Sequence, residues 1–116
     1  MSAIDIDTPH GLARAHLHSA SDPRGALVLG HGAGGGVQAP DLVAVTGTAT
    51  AVGFSVALVE QPYRVAGRRS AAPAHQLDAS WIAAVEQLGT GALRRLPLVA
   101  GGRSSGARVA CRTAAA

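Results

Sequence analysis

Leu96-Pro-Leu-Val-Ala-Gly-Gly-Arg-Ser-Ser-Gly-Ala-Arg-Val-Ala110 is the stretch that decides how the rest of the chain is read. Its first five residues, Leu96 to Ala100, form an uncharged apolar run ending in glycines, the pattern of a short strand buried on both faces. From Ser105 to Ala116 the chain reads as the start of a helix. Between them, Gly102-Arg103-Ser104-Ser105-Gly106 matches G-x-S-x-G. In a chain with 15 glycines that pentapeptide arises by chance about one time in eight, so its context has to carry the reading. The context is strand, sharp turn, helix. A nucleophile elbow needs that order, because the turn lifts the serine oxygen clear of the sheet under strain. Gly102 and Gly106 leave room for the tight backbone. The helix N-terminus sets positive potential beneath a developing oxyanion. Ser104 is then the expected nucleophile and the backbone N–H of Ser105 one oxyanion donor; an ordinary glycine-rich turn is the alternative.

Working backwards, Gly25-Ala-Leu-Val-Leu-Gly30 and Phe54-Ser-Val-Ala-Leu-Val59 are two more apolar runs of strand length. Pro40 and Asp41 open a helix, since proline suits the first turn and an acid suits the N-terminal dipole. Leu42, Val45, Ala49 and Val52 recur at helical spacing, and Gly53 ends the run. Pro73 starts a second helix with Leu77, Trp81, Val85 and Leu88 on one stripe, stopped at Gly89 and Gly91. Ile4 and Ile6, then Leu12 and Leu17, are spaced as two strands around the turn Thr8-Pro9-His10-Gly11. Ser19 to Arg24 and Gln61 to Ala71 are polar loops. The order is hairpin, β, α, β, α, β, α. It predicts an α/β fold in three layers, with a parallel sheet and right-handed crossovers.

His31-Gly32-Ala33-Gly34-Gly35-Gly36 follows the first parallel strand. In a fold with a nucleophile elbow this loop supplies the second oxyanion N–H. Its residues must be small because the backbone itself approaches the substrate. Ala33 is the expected donor, with Gly34 next, and Gly32 and Gly34 give the loop its close approach. His31 reads as a residue that shapes the loop. The competing reading is Gly30-x-Gly32-x-x-Gly35 as a dinucleotide fingerprint, with Glu60 as the ribose acid. Such a helix starts inside the glycine motif, where Pro40 would then break it.

Composition bounds the rest. The chain has 116 residues, 47% hydrophobic and 15% charged, which fits one small domain or part of a larger one and not a disordered chain. A single cysteine, Cys111, excludes a disulfide framework; it reads as a buried small residue on the elbow helix. All ten cations are arginine, so a Walker-type phosphate loop, a Schiff-base lysine and a Ser-x-x-Lys pair are excluded. The net charge of +3 comes from scattered arginines with few aromatics, a poor match to a nucleic-acid surface. Codon bias in a GC-rich genome also writes such a set. No apolar run reaches the ~18 residues of a membrane span. The acidic N-terminus lacks a signal peptide's basic start, so a cytoplasmic location is expected. His16 and His18 share one strand face without further clustered metal ligands. His75 and Asp78 read as surface positions on a helix.

Together, HGAGGG after the first parallel strand, QPYRVAGRR after the second, LDASW in the next helix and GGRSSGARVACRTA at the elbow resemble the small α/β-hydrolase family related to dienelactone hydrolases. The likeness is to its bacterial members grouped with the testis-expressed and histone-acetyltransferase-complex hydrolase-like domains. It implies a serine hydrolase acting on an ester or similar acyl bond of a small molecule, without a cofactor. The loop from Tyr63 to Arg69 then borders the pocket, with Tyr63 and Arg64 as pocket residues. One departure matters: the triad runs Ser, then Asp or Glu, then His, and no acid or histidine follows Ser104. Residues 1–116 are therefore expected to be a single partial α/β-hydrolase domain, truncated after the elbow helix. A non-catalytic hydrolase-like binding or scaffold module is the alternative. Truncation there would leave the third parallel strand as an exposed edge and Val28, Leu58 and Val99 poorly protected.

Overall fold

The computed structural model describes residues 2–115. Strands β1 (Ser2–Thr8) and β2 (Gly11–His18) form the expected hairpin. There follow β3 (Gly25–Gly30), α1 (Pro40–Ala51), β4 (Phe54–Glu60), the short α2 (Pro62–Val65), α3 (Ala74–Thr90), β5 (Leu98–Gly102) and α4 (Ser105–Thr113). The strand order is β1-β2-β4-β3-β5. β3 is parallel to both β4 and β5, while β2 runs antiparallel to β4. The C-terminal ends of β3, β4 and β5 thus open on one side, where the loops carrying the candidate site emerge.

Each face of the sheet has its own core. On one side α3 and α4 cover Ile6, Ala13, Ala15, Ala26, Val28, Ala57 and Val59 with Leu77, Trp81, Ala84, Leu88, Val109 and Ala110. On the other, α1 sets Leu42 and Ala49 against Leu29, Val56 and Leu58. Val56, Ala57, Leu58 and Val59 are all buried because β4 lies inside the sheet with helices on both faces, which is why its sequence is a continuous apolar run.

Several expectations need correction. The third parallel strand is Leu98–Gly102, two residues later than expected. Pro97 has no N–H to give a ladder, and only its carbonyl pairs, accepting from Ala26 N–H at 2.9 Å. The polar loop after β4 contains a helical turn, α2, started by Pro62. On α1 the buried positions are Leu42, Thr46 and Ala49, and Val45 and Val52 face outward. The stripe runs i, i+4, i+7, and Thr46 enters it by donating its hydroxyl to Leu42 C=O. On α3 Leu77, Trp81 and Leu88 are buried as expected, while Ala84 takes the covered place expected of Val85, which is only half-buried. Cys111 is exposed, since α4 buries Val109 and Ala110 and the next residue turns about 100° away. Helix α4 ends at Thr113; the expected extension to Ala116 lies partly outside the described residues. β5 does lie at one end of the sheet, and Val99 is 55% exposed, but Val28 and Leu58 are buried at 0% and 4%. The helices already present shield both.

Candidate active site

Ser104 sits between β5 and α4 with φ 53° and ψ −112°. A side chain in this region is strained by about 1–3 kcal/mol. The surrounding backbone holds it there. A Cβ at Gly102 would lie 2.7 Å from Gly30 O and 2.7 Å from Gly106 C, and one at Gly106 would lie 2.5 Å from Gly30 C and O. The elbow is therefore pressed directly onto the end of β3, and only glycine fits at either position. Ser104 is exposed. It is the N-cap of α4, yet its side chain makes no capping hydrogen bond, so the hydroxyl is presented to the outside. Ser105 is the first residue of α4, where backbone N–H groups have no intrahelical acceptor.

The glycine loop after β3 meets the elbow at Gly32. A Cβ there would lie 3.6 Å from Ser104 Cβ. His31 is buried and fixes the loop. Its Nε2 accepts from Gln61 N–H at 3.0 Å, so Nδ1 carries the proton and donates to Gly32 C=O at 2.9 Å. Because that carbonyl belongs to the Gly32–Ala33 peptide, the bond also sets the direction of the Ala33 N–H on the peptide's opposite side. Burial pushes His31 below its ordinary pKa, the bond to Gly32 opposes the shift and the Arg64 charge adds to it. The imidazole is neutral and both nitrogens are engaged.

Tyr63 is buried, stacks edge-on against His31 at 5.8 Å and donates its hydroxyl to Ala33 C=O at 3.1 Å. Desolvation raises its pKa. It also borders a cleft of about 350 Å³ with Pro62, Ala66, Leu77 and Ser80; Ser104 does not line that cleft. The half-buried Arg64 lies over the other end of the loop, where a Cβ at Gly36 would come within 3.0 Å of its Nη2. A Cβ at Gly34 would meet nothing within 4 Å.

The structure thus brings together Ser104, Ser105, Gly32, Ala33, Gly102 and Gly106, with Tyr63 and Arg64 behind and above the loop. It keeps the other histidines apart from them. His16 pairs with Glu60 at 2.5 Å, His10 packs against His75, and Asp78 holds Arg112 through both carboxylate oxygens. Glu60 is engaged on the neighbouring strand, and α1 begins at Pro40, after the glycine motif rather than within it. Neither fits a dinucleotide site. Three residues at the site carry roles that sequence reading did not assign. Gln61 orients His31 and ties its own side chain to Leu77 C=O of α3. Arg103 and Asp41 form an ion pair at 2.6 Å. Arg103 and Asp41 lie 62 positions apart, so no local pattern could announce their pairing.

The alpha/beta hydrolase domain family matches residues 23–116. No curated protein matches significantly. Among solved structures, an alpha-beta serine hydrolase homologue from Coxiella burnetii aligns over 97% of this chain and 56% of its own, with TM-score 0.85 and 11% identity. Est1E from Butyrivibrio proteoclasticus aligns over 99% and 46%, with TM-score 0.83 and 17% identity. A dienelactone hydrolase from Anabaena variabilis aligns over 98% and 56%, with TM-score 0.82 and 18% identity. The chain spans about half the length of these structures.

Proposed function

This chain belongs to the alpha/beta hydrolase domain family, and on that footing we propose that it supplies the nucleophile and oxyanion half of a serine hydrolase acting on an ester or related acyl bond. Ser104 attacks the acyl carbon, and the tetrahedral oxyanion is held by the N–H groups of Ser105 and Ala33. The observation that carries this reading is the strained, exposed Ser104 at φ 53° on a strand-to-helix turn, pressed against the loop that carries Ala33. His31 is a positioning residue here. Its nitrogens are spent on Gln61 and Gly32, so it cannot take the serine proton.

His31 is engaged on both nitrogens, and His10, His16 and His75 are held against other partners, so none of them serves Ser104 as general base. Removal of triad members leaves only residual catalysis from the oxyanion hole and binding, so residues 1–116 alone are a poor enzyme. The substrate is a small acyl compound, and neither a cofactor nor nucleic acid takes part. The test is turnover of an activated ester by the full-length protein carrying this domain. Ser104→Ala should abolish it while Ser105→Ala, which keeps its backbone N–H, should not. Unchanged turnover in Ser104→Ala would reject the nucleophile assignment and favour a binding module.

A further inference from the structure

The oxyanion loop joins the end of β3 at Gly30 to the first turn of α1 at Pro40 through residues 31–39, four of which are glycine. A segment so rich in glycine has many accessible backbone conformations, and an oxyanion donor works only if it is already aimed before the charge develops. Something must therefore hold both ends and the middle. His31 and Tyr63 fix the carbonyls of Gly32 and Ala33. A second set of contacts is made by one residue. Arg103 donates its backbone N–H to Gly30 C=O at 3.0 Å, where the loop begins. Its Nε donates to Asp41 Oδ2 at 2.6 Å, where the loop ends and α1 starts. Between these points its Nη1 lies over Gly32, 3.5 Å from where a Cβ would sit. Asp41 is itself held in place, since its Oδ1 accepts from the Leu42 N–H at 3.0 Å.

From this geometry we infer that Arg103 is a positioning residue of the site: it clamps the glycine loop onto the elbow by pinning Gly30 with its backbone and Asp41 with its side chain. The residue before the nucleophile thus couples the two oxyanion donors, Ser105 on its own turn and Ala33 on the loop it spans. The choice of arginine follows from the geometry. A planar guanidinium can pair through Nε with a carboxylate while laying Nη1 flat over a glycine, and a lysine ammonium cannot do both. The pair is half exposed on both sides, 50% and 54%, which limits the side-chain part of the clamp to an effect of up to about fivefold.

The inference rests on the oxyanion reading of the loop, so its test has one readout independent of catalysis. Amide exchange of residues 33–38 is compared in the full-length protein, in Arg103→Met, in Asp41→Asn and in the double variant. Arg112→Met, which loses the distant pair with Asp78, is the control. The clamp predicts loop exchange up to about fivefold faster in both single variants, no further rise in the double variant, and no change in the control. Turnover should fall by a similar factor in kcat with KM unchanged, as for an interaction felt in the transition state. Because the pair is exposed, 0.5 M salt should shrink the difference from wild type. Loop exchange equal to wild type in Arg103→Met, or additive effects in the double variant, would overturn the clamp. Those results stand even if Ser104→Ala retains turnover, which would count against the nucleophile and not against the clamp.

Discussion

Replacing Gly106 by alanine tests whether the elbow is wedged onto β3 as described. The added methyl would lie 2.5 Å from both C and O of Gly30 and 2.8 Å from His31 O. These are backbone atoms at the end of an interior strand, so they cannot swing aside as a side chain would. Helix α4 must move outward by close to an ångström, lifting Val109 and Ala110 from the core they fill. Overpacking of this kind costs about 3 kcal/mol. Alanine in place of glycine within a helix returns about 1 kcal/mol. The net loss is about 2 kcal/mol, and at this chain length each kcal/mol lowers Tm by about 4 °C, giving a fall of about 8 °C. Thermal denaturation followed by far-UV circular dichroism measures it. Gly34→Ala is the matched control, since a Cβ there meets nothing within 4 Å, and it should melt within about 2 °C of wild type. If the two variants melt together, the elbow is not wedged against Gly30 and the packing argument fails.

Stability should fall as pH drops from the ordinary histidine value of 6.5 through the lowered folded value of His31. The unfolded chain binds the proton more readily there, with a slope of at most about 1.4 kcal/mol per pH unit. His18 shifts in the same direction, so the check is a chemical-denaturation series in His31→Asn, whose slope should be shallower; an equal slope would clear His31. Tyr63→Phe should lower stability by about 1 kcal/mol through loss of the bond to Ala33 C=O and lower kcat more than it raises KM; an unchanged kcat would show that the carbonyl needs no partner. Residues 1–116 expressed alone should elute from a sizing column as more than a monomer, because β5 lies at the end of the sheet with Val99 exposed. A sharp monomer peak with cooperative unfolding would refute that expectation.

The sequence made the layers and the elbow legible for local reasons. Strand β3 and the Val56–Val59 run of β4 are apolar because both faces are covered, and Gly102 and Gly106 stand two residues either side of Ser104 because backbone lies 2.5–2.7 Å from their missing methyls. Pro40 marked its helix start to the residue. What stayed hidden depends on contacts distant in sequence. Thr46 took a core place from Val45 by satisfying its hydroxyl within the helix, an option that hydrophobic spacing does not register. The start of β5 was displaced by Pro97, whose carbonyl pairs although its nitrogen cannot. The strained φ of Ser104 was expected from the motif. The partners that orient the neighbouring loop were not, because Gln61 and Tyr63 reach it from the cap and first turn of α2 and Asp41 from the start of α1.

The central claim is that Ser104 is the reacting atom's carrier. The most direct measurement is to treat the full-length protein with a fluorophosphonate and map the modified residue by peptide mass spectrometry. The account predicts a single covalent adduct on Ser104, absent in Ser104→Ala and retained in Ser105→Ala. An adduct on Ser105, or labelling that survives Ser104→Ala, would contradict it.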